Sequence, residues 1–249
     1  MILVSILIPA YNEEDNIAYT IGRIQKRFAL HQINYEIVVV NDNSIDKTKE
    51  IISQLSQKDP RIRLVENSPP FGIGNAIKKG LSEYQGDYVM IAMADASDSP
   101  RDMIKYIRTV TKGYDCCFGT RWCPQAKVIG YPPHKWFLNR FANWFIQILF
   151  RLSYNDITNA FKCYSRQTIN GLQPLMSHHF NITVELPLKA IVRGYSYATV
   201  ATNWYNRRKG KSNLKVKEMG SRYFFAILCI FFEKLLCQSD YAKKAPHVS

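Results

Sequence analysis

Tyr88-Val89-Met90-Ile91-Ala92-Met93-Ala94-Asp95-Ala96-Ser97-Asp98-Ser99-Pro100-Arg101-Asp102 is the stretch on which the reading of the fold turns. The six apolar residues Val89 to Ala94 read as a buried strand of a parallel sheet, because such strands are covered on both faces and need not alternate. The strand stops at Asp95, a second carboxylate follows at Asp98, and Pro100 opens a helix where its missing N–H costs nothing. Carboxylates at the carboxyl end of a buried parallel strand stand where open α/β sheets bind ligands. Such a pair can hold a hard divalent cation on a phosphate. Asp98 or Ser99 acting simply as a helix cap is the alternative.

Outward from that stretch, the first half alternates strand-like and helix-like segments. Leu3–Ile8, Glu36–Val40, Ile62–Val65, Val89–Ala94 and Cys116–Gly119 read as strands, with helices over 12–29, 45–57, 72–84 and 101–111. That order predicts an α/β fold with a mainly parallel central sheet and helices on both faces, so polar groups should collect at the strand ends. They do so in two further places. Pro9-Ala10-Tyr11-Asn12-Glu13-Glu14 follows the first strand and Asn41-Asp42-Asn43-Ser44 the second. Tyr11 can stack on a ring, and Glu13 and Asp42 can accept hydrogen bonds from a base or ribose, whereas Asn43 and Ser44 read as caps. Gly72-Ile73-Gly74-Asn75 after Pro69-Pro70 reads as a tight turn rather than a phosphate-binding glycine loop, since it lacks the third glycine and no strand leads directly into it.

Charge divides the chain. Residues 1–120 hold 14 Lys+Arg and 15 Asp+Glu, leaving 19 and 5 for residues 121–249, so the halves carry about −1 and +14 of the net +13. The basicity belongs to the second half and points to an anionic partner there: nucleic acid, an anionic membrane surface or a phosphorylated substrate. Gly119-Thr120-Arg121-Trp122 is read as the end of the last strand of the sheet. Lys135–Arg151 is an aromatic-rich helix carrying Lys135, Arg140 and Arg151, suited either to a membrane interface or to packing on the sheet. Phe180–Arg193 places Glu185 in an apolar helix, where a buried acid needs a partner. After a strand over Tyr197–Tyr205, Asn206–Lys215 carries a basic loop with Gly210 and Ser212, able to wrap phosphate oxygens. Tyr223–Phe232 is ten consecutive apolar residues, about half of the ~20 that span a bilayer, and Glu233 and Lys234 end the run.

With 249 residues and 47% hydrophobic content the chain can fill a substantial core, which excludes a disordered protein. Its six cysteines form no CxxC pair, so neither a zinc site nor a secreted disulfide scaffold is expected, and reduced thiols in a cytosolic compartment are. Met1–Ala10 lacks the positively charged n-region of a signal peptide and is read as the first strand. Basic residues interleaved with long apolar runs, without a recognition motif, argue against nucleic acid.

Taken together these motifs resemble the family 2 glycosyltransferases of GT-A fold, in particular the dolichyl- and polyprenyl-phosphate sugar transferases, over about residues 4–237. Ser5–Glu14 resembles the family's opening strand and turn, Val38–Ser44 its V-D-D-G-S, Gly119–Trp122 its G-S-R-Y, Asp156–Lys162 its D-x-T-S-G-F-R and Arg207–Ser212 its R-x-x-G-x-S. The resemblance implies a GT-A domain over 1–215, with a nucleotide-sugar half (1–120) and an acceptor half (121–215), followed by a C-terminal apolar helix and tail over 216–249. It implies nucleotide contacts from Pro9, Tyr11, Glu13 and Asp42. Asp95, Arg121 and Arg207 would be catalytic, and Arg121, Arg140 and Arg207, with Lys211 and Ser212 of the basic loop, would hold the acceptor phosphate, the arginines alternatively the donor diphosphate. Mg²⁺ or Mn²⁺ would sit on Asp95 and Asp98. Three positions depart from the pattern. Met93 stands at the first Asp of D-x-D, Asn41 at the first Asp of D-D-G-S, and Asn213 at the Lys after the R-x-x-G-x-S serine. Asp98 is expected to supply the missing carboxylate, and Lys211 or Lys215 the missing cation.

The expected reaction is inverting sugar transfer from a GDP- or UDP-linked donor to a polyprenyl or dolichyl phosphate, by an enzyme peripheral to the cytoplasmic face of a membrane. Two alternatives stay open: a family 2 enzyme with a soluble glycan acceptor, and a lipid-phosphate-binding scaffold without activity.

Overall fold

The computed structural model describes residues 2–207, 209–210 and 216–243. In chain order the elements are β1 (Val4–Ala10), α1 (Ile17–Leu30), β2 (Tyr35–Asn41), α2 (Thr48–Lys58), β3 (Ile62–Glu66), α3 (Ile73–Glu83), β4 (Tyr88–Ile91), α4 (Pro100–Val110) and β5 (Cys116–Thr120). Then follow β6 (Val128–Ile129), α5 (Pro133–Phe150), β7 (Lys162–Ser165), α6 (Arg166–Gly171), α7 (Ile182–Val192), β8 (Tyr197–Ala201), β9 (Trp204–Tyr205), α8 (Val216–Leu236) and α9 (Gln238–Tyr241).

Seven strands form one sheet in the order β3-β2-β1-β4-β7-β5-β8, with β7 antiparallel to both its neighbours and the other pairs parallel. The α/β sheet expected from the sequence is therefore present. Because successive side chains point to opposite faces, Leu7, Val38 and Val40 face a core closed by α3, α5, α7 and α8. Ile6, Ile8, Ile37 and Val39 face a second core closed by α1, α2 and α4. The strand order reverses at β1, between β2 and β4, and the carboxyl ends of those strands open a crevice there.

Four expectations need correction. β4 ends at Ile91 rather than Ala94, because β7 pairs with it only as far as Lys162↔Ile91 and the Met93 N–H is taken instead by Asp98 Oδ2 at 2.9 Å. The fifth strand is not the last of the sheet: β7 inserts between β4 and β5, and β8 adds beyond β5. Tyr197–Tyr205 breaks into β8 and β9, since Asp102 accepts the Asn203 N–H at 2.7 Å and turns the chain, after which β9 pairs with β6. Helix α1 starts five residues later than expected. Asn12 adopts a left-handed φ of 53°, and the 12–16 turn is tied to the β2 loop by Asn12 N–H to Ser44 Oγ and Glu13 N–H to Thr48 Oγ1.

Candidate functional site

The crevice is a cavity of about 680 Å³ in which the two halves of the chain meet. Glu13 after β1, Asp42 after β2 and Asp95 and Asp98 after β4 line it, together with Arg121 after β5, Lys135 of α5, Arg207 after β9 and Arg222 of α8. Pro9 and Tyr11 also line it, Pro9 buried and Tyr11 exposed.

Each acid is held. Asp42 accepts Asn67 Nδ2 at 2.7 Å and the Gly72 N–H at 3.0 Å. Gly72 has φ 138°, and a Cβ there would lie 2.8 Å from the His178 carbonyl, so the glycine turn serves the close approach of the 178–179 loop as well as the edge of the cavity. Glu13 accepts Asn16 Nδ2 at 2.7 Å, and burial raises its pKa against the pull of Asn16 and Arg207. Arg207 Nη2 spans Glu13 Oε1 at 3.1 Å and Asp95 Oδ2 at 3.2 Å, tying the basic loop to the acidic strand ends. Asp98 is buried, and burial pushes its carboxyl up to about 7, with the neighbouring Asp95 carboxylate adding to the effect.

Arg121 gives Nε and Nη2 to the two oxygens of Asp156, at 2.9 and 2.7 Å, and its backbone N–H to the same carboxylate. Burial works against the Arg121 charge, and Asp156 more than offsets it. The Asp156 loop is in turn fixed by Tyr154, whose hydroxyl donates to the Asp156 carbonyl at 2.7 Å, and by Lys162. The Lys162 ammonium lies against the carbonyls of Ile157, Asn159 and Thr183. Burial lowers Lys162 to about 7, Asp156 opposing and Arg121 adding. Glu185 has the partner its burial required, Lys189 Nζ at 2.8 Å, together with the N–H groups of Met176 and Ser177.

Of the residues singled out in the sequence, the fold brings Pro9, Tyr11, Glu13, Asp42, Asp95, Asp98, Arg121 and Arg207 to one cavity. Arg140 is not among its lining residues. It donates to the Asn155 carbonyl at 3.1 Å and lies over the Trp122 ring, supporting the loop that carries Arg121. Lys211, Ser212, Asn213 and Lys215 lie outside the described residues. Sequence reasoning quoted Thr158 and Asn159 within the Asp156–Lys162 motif without giving them a role, and passed over Asn139 and Arg222. Asn139 donates to Thr158 at 2.7 Å in the cavity lining, and Arg222 carries no motif, its one signal being a cation placed directly before a ten-residue apolar run.

Family 2 membership rests on a match of the glycosyl transferase family 2 model to residues 5–170, two thirds of the chain. The chain belongs to glycosyl transferase family 2. Among curated relatives, it is 28% identical over 215 residues to a polyprenol monophosphomannose synthase of Mycolicibacterium smegmatis, covering 84% of this chain and 80% of that one. It is 29% identical over 216 residues to a dolichol-phosphate mannosyltransferase of Pyrococcus furiosus, covering 86% of this chain and 60% of that longer protein. Among solved structures it superposes with a TM-score of 0.72 on glucosyl-3-phosphoglycerate synthase of Mycobacterium tuberculosis in complex with Mn²⁺, UDP-glucose and phosphoglyceric acid. That match is at 16% identity, over 92% of this chain and 80% of that one. The glycosyltransferase thus has the GT-A architecture expected from its sequence.

The family's metal can be tested against the residues present. Among the described residues no group of three or more His, Cys, Asp or Glu forms a cage. Mg²⁺, however, is commonly held by one or two carboxylates plus substrate phosphates. Asp95 and Asp98, both lining the cavity, with a cation already drawn to Asp95 Oδ2, fit that mode. Met93, at the position of the missing Asp, lines the cavity but offers a thioether, a poor ligand for a hard cation.

Proposed function

We propose that this glycosyltransferase moves a sugar from a nucleotide sugar, GDP- or UDP-linked, to the phosphate of a polyprenyl or dolichyl lipid at the cytoplasmic face of a membrane, with inversion at C1. The observation that carries the proposal is one cavity lined both by the acidic strand ends and by Arg121, Lys135, Arg207 and Arg222, beside two helices with exposed apolar side chains. Trp136, Phe137, Phe141, Trp144 and Ile148 of α5 are exposed, as are Phe224, Phe225, Phe232, Leu235 and Leu236 of α8. Both helices also bury a face, through Ile146 and Phe150 and through Ile227 and Ile230. One face of α5 therefore packs on the core, and its exposed aromatic side chains support the membrane-interface reading. Among the described residues no helix is long and apolar enough to cross a membrane, and aromatic side chains at headgroup depth suit a peripheral contact. The relatives named for polyprenol- and dolichol-phosphate mannose synthesis support the same acceptor class.

Pro9, Tyr11, Glu13 and Asp42 hold the nucleotide, with Tyr11 stacking and Asp42 accepting from the base or ribose. Asp95 and Asp98 would hold Mg²⁺ or Mn²⁺ together with diphosphate oxygens. When bound, the ion supplies Lewis-acid stabilisation of the leaving diphosphate. Arg121, kept charged and oriented by Asp156, presents its remaining N–H groups to the cavity, and Arg207 with Lys211 and Ser212 meets phosphate from the basic loop. A phosphate monoester has a second pKa of about 6, so the acceptor oxygen is already anionic and needs no general base. Positioning and electrostatics carry the acceleration.

The test is a screen of GDP- and UDP-sugars against undecaprenyl and dolichyl phosphates, with and without Mn²⁺, using Asp95→Ala as control. Label should enter the organic extract with the wild type and be lost with Asp95→Ala. Transfer confined to aqueous glycans would refute the lipid acceptor, and the absence of transfer from every donor would refute the enzyme reading.

A further inference from the structure

Lys162 is 1% exposed and, unlike the buried cations Arg121, Lys189 and Arg193, has no carboxylate at ion-pair distance among the described residues. Its Nζ meets three backbone carbonyls instead: Ile157 at 2.8 Å, Asn159, and Thr183 at 3.4 Å. Ile157 and Asn159 belong to the loop before β7, and Thr183 to the first turn of α7. Thr158, Asn159 and Thr183 all line the cavity, so one ammonium joins two segments of its lining. The same loop begins with Asp156, which holds Arg121 through both carboxylate oxygens. Its remaining supports are neutral. Asn139 and Asn143 donate to Thr158 Oγ1 at 2.7 and 2.9 Å, and Asn159 Nδ2 donates to the Gly119 carbonyl at 3.2 Å. An ammonium has three N–H donors for the three carbonyls, whereas a neutral amine has two and turns a lone pair toward the third. A buried carbonyl left without its donor is costly, so the loop must shift when the proton leaves.

Resting on the sugar-transfer reading above, we propose that Lys162 is a positioning residue for that reaction. By donating to Ile157, Asn159 and Thr183 it fixes the 156–159 loop and, through Asp156, the Arg121 guanidinium, which keeps its place in the cavity only while Lys162 is charged. Burial lowers the ammonium to about 7, Asp156 favouring its charge and Arg121 opposing it. Tyr164, two positions along β7 and so on the same face of the sheet, and Tyr154 in the same core are held well above the ordinary tyrosine range by burial and stay neutral near that pH. From α7 the group meets the Thr183 carbonyl. Two pH dependences of opposite sign follow. The folded state favours the neutral amine, so stability rises above pH 7, while the placement of Arg121 is lost over the same range.

The experiment follows the side-chain ¹⁵N signals of Lys162 and Arg121 in the full chain by NMR from about pH 6 to about pH 9, spanning that ionisation. The Arg121 Nε signal is assigned by its loss in Arg121→Lys. The pH profile of sugar transfer is measured alongside for the wild type, Lys162→Arg and Lys162→Met, with thermal melts to confirm folding. In the wild type the Arg121 Nε signal should move with the midpoint of the Lys162 titration. Its kcat should fall about 10- to 50-fold from about pH 7 to about pH 9, as for one required proton, with little change in KM for the nucleotide sugar. Lys162→Arg keeps its charge over this range, and should show a static Arg121 signal and no alkaline fall. Lys162→Met should turn over about 10- to 100-fold more slowly at pH 7, the scale of a small misplacement, and also lack the fall. An Arg121 signal that stays still while Lys162 titrates overturns the positioning role, and this needs no variant. An alkaline fall that survives in both variants, or wild-type kcat in Lys162→Met, overturns it as well. A wild type that transfers no sugar overturns the reaction itself, a failure distinct from a static Arg121 signal.

Discussion

Arg207→Ala removes the guanidinium that spans Glu13 and Asp95 at 3.1 and 3.2 Å, and so frees the carboxylate on which a divalent cation would land. Unit charges at that distance and an effective dielectric near 20 attract by about 5 kcal/mol. The three side chains are 19%, 11% and 14% exposed, so water screens part of this. A net value of about 1.5–3 kcal/mol is the range for hydrogen bonds to charged groups. A metal reaching Asp95 without a nucleotide must displace that pair or sit against its positive charge. Removing the arginine should therefore raise Mn²⁺ affinity of the nucleotide-free protein about 10- to 100-fold, at ~1.4 kcal/mol per decade. Free Mn²⁺ followed by electron paramagnetic resonance at physiological ionic strength gives the constant directly, and Asp95→Ala in the same background should abolish the gain. Turnover of Arg207→Ala should fall even as its metal affinity rises, since the residue is proposed to meet substrate phosphate. Mn²⁺ affinity equal to or below that of the wild type would refute the reasoning, because it would mean that Arg207 and the metal do not compete for Asp95.

Asp156→Ala should be strongly destabilising, because it leaves the Arg121 guanidinium buried without its bidentate partner. Breaking a buried pair costs about 3–5 kcal/mol, and at ~2–4 °C per kcal/mol in a chain of this size the melting temperature should drop by roughly 6–20 °C. Lys162 is lowered by burial to about 7 in the folded protein, so the unfolded chain binds the extra proton between that value and the ordinary lysine range. Stability should rise with pH from about 7 to about 10, and denaturant melts of Lys162→Met should lose that slope. Phe141→Glu with Trp144→Glu changes two exposed side chains of α5. Sedimentation with anionic vesicles should fall at least about tenfold while nucleotide binding is kept, as expected when apolar area is lost from an interfacial helix.

Most of the fold was legible because its signals are local. Apolar runs at Val4–Ala10, Tyr35–Asn41 and Tyr88–Ile91 needed only their own residues to read as strands of a parallel sheet. A strand end in such a sheet is also a ligand-facing position, so Glu13, Asp42, Asp95 and Asp98 could be named without coordinates. The place of β7 was not legible: four residues, Lys162–Ser165, do not reveal that they run antiparallel between β4 and β5. Nor was the end of β4, where the apolar composition continues through Ala94 while a side chain from Asp98 takes the next ladder N–H.

The sequence alone determined the sheet, the acidic strand ends, the division of charge between the halves and the family. Each of these follows from period, composition or a short motif. Tertiary structure decided which charges are already matched. Arg121 meets Asp156 across 35 residues, and Arg207 meets Glu13 across 194. The same packing moved Arg140 off the cavity wall and brought in Arg222, which no motif marks. A side chain's charge is written in the sequence, but whether it is left over for a ligand depends on partners that only the folded chain brings within 3 to 4 Å.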